Sequence, residues 1–272
     1  MPEDDIQRLP IELERLIFEL TARVYPDTIT TLILVARRIC VWIEPFLYQV
    51  VLSSGYGERV TRIMASKPPE FLRQHVQQHL ALSCSMSRRY VSYILSTCTN
   101  IQNLALWTGD TYPALLDDMR HLTNLRRLSV SLFKLFGGNA MKLLPSKEDL
   151  PFSHLTHLDV FGEVIEPVWP VFGMLPCLTH LSISDQYIPQ LLQRALDEVP
   201  TLRLLVVVWT TDPPIWDVEE TVITDPRFCT IFCHFDSDWE IGALGGLDFW
   251  CRAEDFIARR ARGEIEKSEF QA

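Results

Sequence analysis

The fold is decided by a six-residue unit that recurs along the chain: LRRLSV at residues 125–130, LTHLDV at 155–160 and LTHLSI at 178–183. Apolar residues stand at its first, fourth and sixth positions, and the last two alternate with polar residues, as in a β-strand with one buried face. Similar units are centred on residues 104, 205 and 231. Self-similarity at this spacing is typical of repeat proteins, in which each unit buries its apolar face against its neighbours.

The repeated unit predicts a stack of parallel strands, with an additional first strand at residues 79–82. Helical connectors are predicted at 88–98, 113–119 and 189–199. The central leucines are expected to form one buried column: Leu104, Leu128, Leu158, Leu181 and Leu205. The unit resembles a degenerate leucine-rich repeat. This resemblance implies an α/β fold in which a leucine-rich-repeat-like solenoid occupies residues 51–240.

The first fifty residues have a different, helical pattern. Leu9 and Pro10 open a segment with Leu13, Leu16 and Ile17 on one helix face, and proline is well tolerated in a first helical turn. A second amphipathic helix is predicted over residues 29–39, and a third is predicted to begin at residues 44–45. Three short helices cannot bury every apolar face that they form. We therefore expect an exposed apolar stripe that needs a partner.

Four pieces of this segment resemble the F-box, a helical motif of ubiquitin-ligase adaptors: LPIEL at 9–13, LIF at 16–18, LVARR at 34–38 and LYQVV at 47–51. The segment WIEPFLY at 42–48 is similar to one that recurs in F-box-like proteins of mushroom-forming fungi. The resemblance implies binding to the Skp-type adaptor of a cullin-RING ubiquitin ligase. The residues that it assigns to this contact are Leu9, Pro10, Leu13, Ile17, Phe18, Leu34, Val35 and Tyr48. The alternative is that residues 1–50 are a plain three-helix cap on the repeat array.

A final amphipathic helix is predicted over residues 247–263, with Asp248 as its N-cap and three arginines near its end. Its apolar side carries Phe249, Trp250 and Phe256. We interpret residues 241–272 as a capping helix and tail that cover the last repeat. A helix that binds a partner is the alternative.

Composition restricts the function. The 272 residues carry a formal net charge of -10, which disfavours nucleic acid and anionic membranes as partners. The sequence has no phosphate-binding loop, no nucleophile elbow and no zinc-protease motif, so we expect no enzymatic activity, no metal and no cofactor. An acidic start, the lack of a long apolar run and seven scattered cysteines indicate a cytoplasmic or nuclear protein.

The polar residues that alternate with the buried leucines point to the opposite face of the sheet. We expect this face to be open and to bind a protein substrate through Trp107, Arg127, His157, Asp159, Phe161 and His180. A merely solvated face is the alternative. Leu204, Val206 and Val208 would make the same face apolar, so we expect the C-terminal segment to cover that end. The alternative is an exposed apolar patch that is itself a docking site. The sequence thus predicts a substrate-recognition adaptor of a Skp-cullin-F-box ubiquitin ligase, or else a leucine-rich-repeat scaffold with no ligase role.

Overall fold

The chain forms two compact units, Met1–Val50 and Val51–Ala272. The computed structural model describes residues 9–53, 58–76, 78–83, 86–107, 113–140, 144–211 and 223–272. Residues 241–272 belong to the same compact unit as the strands before them. Among the described residues, no helix combines the length and the apolar character needed to cross a bilayer.

The N-terminal unit consists of short helices: α1 (Ile11–Val24), α2 (Ile29–Leu32), α3 (Arg37–Ile43) and 3-10 turns at Pro26–Thr28 and Glu44–Tyr48. Its core is small and comprises Ala22, Ile29, Ile39 and Ile43. The predicted second helix is therefore two helices, because the chain leaves the helical path at residues 33–36. The predicted third helix is only a 3-10 turn, since β1 (Val50–Leu52) begins directly after it.

The second unit is a mixed α/β structure built on an open eight-stranded sheet. Its strands follow one another in sequence order. The remaining strands are β2 (His79–Ser83), β3 (Asn103–Trp107), β4 (Arg127–Val130), β5 (His157–Val160), β6 (His180–Ser184), β7 (Leu204–Trp209) and β8 (Phe228–Phe232). All pairs from β2 to β8 are parallel. Parallel neighbours need a crossover between them, and the helices of this unit supply most of these connections.

The predicted leucine column is confirmed. Leu104, Leu128, Leu158, Leu181 and Leu205 are direct partners in successive strand pairs. Each of the five side chains is at most 2% exposed. The six-residue unit therefore sets both the position and the register of β3 to β7.

The register of the last strand differs from the prediction. Leu205 pairs with Phe228, and Val208 pairs with Ile231, whereas the repeat pattern aligned Ile231 with Leu205. Ile231 and Cys233 belong to the apolar cluster on the opposite face, together with Leu204 and Val206. The pattern failed here because both faces of β8 are apolar, so alternation could not determine which residue pointed which way.

The helices of the second unit are α4 (Glu58–Ser66), α5 (Pro69–His75), α6 (Arg88–Thr97), α7 (Leu115–Met119), α8 (Leu132–Leu135), α9 (Pro170–Met174), α10 (Pro189–Glu198), α11 (Phe235–Ala243) and α12 (Phe249–Ala261). The predicted connectors correspond to α6, α7 and α10. The predicted C-terminal helix is α12, and its N-cap is Asp248, whose side chain accepts a hydrogen bond from the backbone N–H of Cys251. The sequence did not predict α11.

Helix α12 and the chain end are anchored to the last strand. The buried Arg260 guanidinium donates to the carbonyl oxygens of Pro226, Phe228 and Glu269. It also lies 4.5 Å from the centroid of the Phe270 ring. The backbone of Thr230 donates to Phe270 and accepts from Ala272, so the C-terminal residues cover an edge of β8 that would otherwise expose unpaired groups.

Candidate functional site

Helix α1 carries a continuous apolar stripe that faces away from the core of its unit. Its members recur three and four residues apart, so they lie on one side of the helix. Each is between 48% and 59% exposed, which is unusual for large aliphatic side chains clustered on one helix. The residues of this α1 stripe are Leu13, Leu16, Ile17, Leu20 and Val24.

The opposite side of α1 forms the core contact. Ala22 is buried, and Phe18 packs against the cluster around Ile39 and Ile43. Phe18, which the F-box resemblance assigns to the adaptor contact, therefore lies on the core side of α1 and not in the stripe with Leu13 and Ile17. Phe18 follows Ile17 by one residue, which turns its side chain about 100° around the helix. The α1 stripe and the core contact are thus separate surfaces, so one can be changed without the other.

The other residues assigned to the N-terminal contact are distributed around this unit. Leu34 and Val35 lie in the turn between α2 and α3 and are 82% and 59% exposed. Leu9 and Pro10 are exposed just before α1, whereas Tyr48 is half-buried at the end of its 3-10 turn. Across α1 and α3, Arg38 makes two hydrogen bonds to Glu14, at 2.6 and 2.9 Å. This pair of hydrogen bonds joins α1 to α3 at a solvent-exposed position.

The polar face of the sheet is covered, and the prediction that it is open is wrong. Helices α11 and α12 pack over it. At the α12 end, Leu204, Val206 and Val208 are buried against Phe249, Trp250 and Phe256, which confirms that the C-terminal segment covers this part of the face. The cover extends further than expected, since it reaches the polar residues of the preceding strands as well.

Three of the predicted substrate residues on this face, Arg127, His157 and His180, have a partner from the cover. Arg127 Nη1 donates to Asp248 Oδ2 at 2.9 Å, and His180 Nε2 lies 2.8 Å from Glu254 Oε1. The rings of His157 and His180 stack at a centroid distance of 4.1 Å, and Trp250 meets both edge-on. Asp159 and His180 are only 3% and 7% exposed. Arg127, His157 and His180 therefore stabilise the packing of the C-terminal helices.

Burial lowers the pKa values of the three histidines on this face. Burial, with the nearby His180 and Arg127, lowers the pKa of His157 to about 2. Burial likewise lowers the pKa of His79 to about 4. The pKa of His180 is lowered by burial, although Glu254 opposes the shift. Since neutral rings can stack without charge repulsion, the His157–His180 pair serves packing.

Asp159 is the centre of a buried hydrogen-bonded cluster on the same face. Its Oδ2 accepts from the Ser129 hydroxyl at 2.5 Å, and its Oδ1 accepts from those of Ser182 and Ser184 at 2.5 and 3.2 Å. Full burial raises the pKa of this carboxyl, although the three hydroxyl donors oppose the rise. The strands β4, β5 and β6 are thus joined through one side chain.

Among the described residues, this face is accessible at the carboxyl ends of the strands. There a cleft of about 550 Å³ lies between the strand ends and the first turn of α11. We call it the α11 cleft, and its lining residues are Trp107, Asp159, Phe161, Ser184, Asp185, Thr210, His234, Phe235, Asp236 and Ser237. Of the predicted substrate residues, Trp107, Asp159 and Phe161 are therefore brought together.

Sequence reasoning missed the other half of the α11 cleft. Asp185 and Thr210 follow directly after β6 and β7, where the carboxyl ends of parallel strands meet at one edge of a sheet. Their position directly after two predicted strands could have identified Asp185 and Thr210 from the sequence. Phe235 and Asp236 had no comparable signal, because α11 was not predicted.

Comparison with models of known protein families and with curated proteins finds no match for this chain.

Proposed function

We propose that the chain is a substrate-recognition adaptor of a Skp-cullin-F-box ubiquitin ligase. In this proposal the N-terminal unit binds the Skp-type adaptor protein, and the α/β unit, a degenerate leucine-rich-repeat solenoid, binds the protein to be modified. The observation that carries the proposal is the α1 stripe. A folded helix with five large aliphatic side chains about half exposed on one face fits a surface that a protein partner covers.

The energetics of the stripe suit a docking helix. Full burial of one large aliphatic side chain is worth about 1.5–3 kcal/mol, so burying the exposed half contributes about 1 kcal/mol per residue. The five residues together supply about 5 kcal/mol, whereas micromolar affinity corresponds to about 8 kcal/mol. The exposed Leu34 and Val35, which the F-box resemblance assigns to the same contact, are the next contributors.

The separate surfaces of α1 allow a specific test. In the full chain, Leu16→Gln, Ile17→Gln and Leu20→Gln together remove the middle of the stripe, and glutamine keeps helix propensity. Affinity for a purified Skp-type adaptor, measured by calorimetry, is expected to fall about 100-fold, since three residues at about 1 kcal/mol each are lost. The thermal unfolding midpoint should change little, because more than half of each of these side chains is already exposed to solvent.

The matched control changes three other exposed aliphatic residues, Ile241, Leu244 and Leu247, to Gln. They are 47%, 55% and 74% exposed and lie in the second unit, so adaptor affinity should stay at the wild-type value. Equal affinity of the stripe variant and this control would show that α1 is not the docking helix. Failure of the wild-type chain to bind any Skp-type adaptor would reject the ligase role and leave the repeat-scaffold function.

A further inference from the structure

The α11 cleft has the place and the size of a ligand site. Its floor is formed where β3, β5, β6 and β7 end, and in open parallel sheets ligands bind beyond the carboxyl ends of the strands. Its volume of about 550 Å³ lies within the range of known pockets, roughly 300–1,000 Å³. Asp185, His234, Asp236 and Ser237 are exposed around it. A side chain can therefore enter while the backbone that carries it stays outside.

The apolar part of the lining is aromatic. Trp107 and Phe235 meet edge to face, with their centroids 5.7 Å apart. Trp107 also meets the buried Trp239 edge-on at 6.3 Å, so its ring is held from two sides. Phe161, half-exposed after β5, also lines the cleft. Aromatic faces attract Lys and Arg side chains through both their stems and their charge.

The charged part of the lining is acidic. Two exposed carboxyl groups line the α11 cleft, those of Asp185 and Asp236, and none of its described lining residues is Lys or Arg. The carboxyl of Asp159 also lines the cleft, but it is buried and bonded to three serine hydroxyls. Asp185 is held in place because its Oδ1 accepts from the Thr210 backbone N–H at 2.8 Å and its Oδ2 from the Thr210 hydroxyl at 2.5 Å. The first turn of α11 contributes a partial positive charge, which the carboxylate of Asp236 offsets.

We propose that the α11 cleft binds a Lys or Arg side chain of a partner protein. The stem of that side chain lies against Trp107, Phe161 and Phe235, and its charge lies between Asp185 and Asp236. This inference deepens the proposed function, because it names the chemistry of the recognised protein, and it rests on that function only in calling this protein a substrate. The occupant is cationic because the lining pairs aromatic rings with carboxylates, and its described residues offer no arginine or lysine to an anion.

The test uses the full chain without any ligase component. The probes are four acetylated and amidated nine-residue peptides of Gly, Ser and Ala, with Lys, Arg, norleucine or Glu at the centre. Binding is measured by NMR titration at millimolar peptide. The Lys and Arg peptides are expected to bind at least tenfold more tightly than the norleucine peptide, which has an apolar stem but no charge, and to weaken as salt is added.

Paired substitutions locate the site. Asp185→Asn with Asp236→Asn removes two charges from the cleft, and asparagine tolerates the positive φ of 56° that Asp185 adopts. This variant should lose the preference for Lys and Arg. The control, Asp117→Asn with Asp255→Asn, removes two exposed charges from residues outside the cleft lining and should keep the preference.

Three results would overturn the inference: no binding of the Lys peptide, binding of the Glu peptide as tight as that of the Lys peptide, or equal effects of the two double variants. The chain with Leu16, Ile17 and Leu20 changed to Gln separates this inference from the proposed function. It should bind the Lys peptide with wild-type affinity, even though its affinity for the Skp-type adaptor is lower. Peptide binding by a wild-type chain that binds no such adaptor would support the cleft and reject only the ligase role.

Discussion

Replacing Asp248 with Ala should loosen the C-terminal cover, because this one carboxylate makes two contacts. Its Oδ1 caps α12 by accepting from the Cys251 N–H at 2.9 Å. Its Oδ2 accepts from Arg127 Nη1, also at 2.9 Å. The Asp248 side chain is 6% exposed, and that of Arg127 is 33% exposed. The substitution therefore removes a helix cap and the ion pair that joins β4 to the cover.

The size of the effect follows from these contacts. Loss of an N-cap costs about 1 kcal/mol. A hydrogen bond between charged groups contributes about 1.5–3 kcal/mol when buried, and the exposed third of Arg127 reduces this to about 1–1.5 kcal/mol. Asp248→Ala should therefore lower the free energy of unfolding by about 2–3 kcal/mol. Asp248→Asn keeps a capping oxygen and loses the ion pair, so about 1 kcal/mol is expected.

Urea unfolding of the full chain, followed by tryptophan fluorescence, measures these values if the slope with urea stays constant. A double-mutant cycle with Arg127→Gln isolates the ion pair, and we expect a coupling energy of about 1 kcal/mol. A loss below about 0.5 kcal/mol for Asp248→Ala, or a coupling of zero, would show that Asp248 does not hold the cover to β4.

Gly242 gives an independent check on the same carboxylate. A Cβ at this position would lie 2.5 Å from Asp248 Oδ2, so Gly242→Ala must displace the side chain or the helix. Alanine within a helix normally stabilises by about 0.5–1 kcal/mol relative to glycine. Here we expect the opposite sign in the same urea assay. A stabilised Gly242→Ala variant would contradict the close packing of α11 against Asp248.

Two further predictions concern the sheet. Leu158→Ala should lower the free energy of unfolding by about 2–5 kcal/mol, because Leu158 is 1% exposed between Leu128 and Leu181; a loss below about 1 kcal/mol in urea unfolding would refute the buried column. The stability of the Asp159→Asn variant, compared with that of the wild type, should increase as the pH rises. Burial raises the pKa of this carboxyl in the folded chain, so the protonated carboxyl stabilises the fold. This contribution to stability is fully present below the unfolded pKa of about 4 and is lost as the pH rises through the higher folded pKa. Thermal unfolding of both chains at pH 4 to 8 measures this, and a difference that does not change with pH would contradict it.

The strands were predictable because the information for them is local. An apolar pair two residues apart in each unit specifies a strand with a buried face, and repetition specifies parallel neighbours. This argument located β3 to β7 and their register. It did not locate α11, whose residues include acidic, glycine and aromatic positions without a clear helical stripe.

The sequence by itself determined which residues of α1 are apolar, but not which of them face solvent. Phe18 and Ile17 are both apolar, and only packing against Ile39 and Ile43 separates the core side from the α1 stripe. Likewise, alternation determined that Asp159 points away from the leucine column. That its surroundings are buried depends on α11 and α12, which lie more than 70 residues further along the chain.

A local pattern therefore cannot distinguish a polar strand face in water from one whose polar groups are satisfied under a cover. Serine hydroxyls satisfy Asp159, and Asp248 and Glu254 pair with Arg127 and His180. Burial of a polar group is tolerated when its hydrogen bonds are replaced, and the replacing groups come from distant segments. The sequence determined the strands, the leucine column and the α12 helix. Only the tertiary structure decided that the polar face is covered and that, among the described residues, it is accessible at the α11 cleft, because both depend on contacts between residues far apart in the chain.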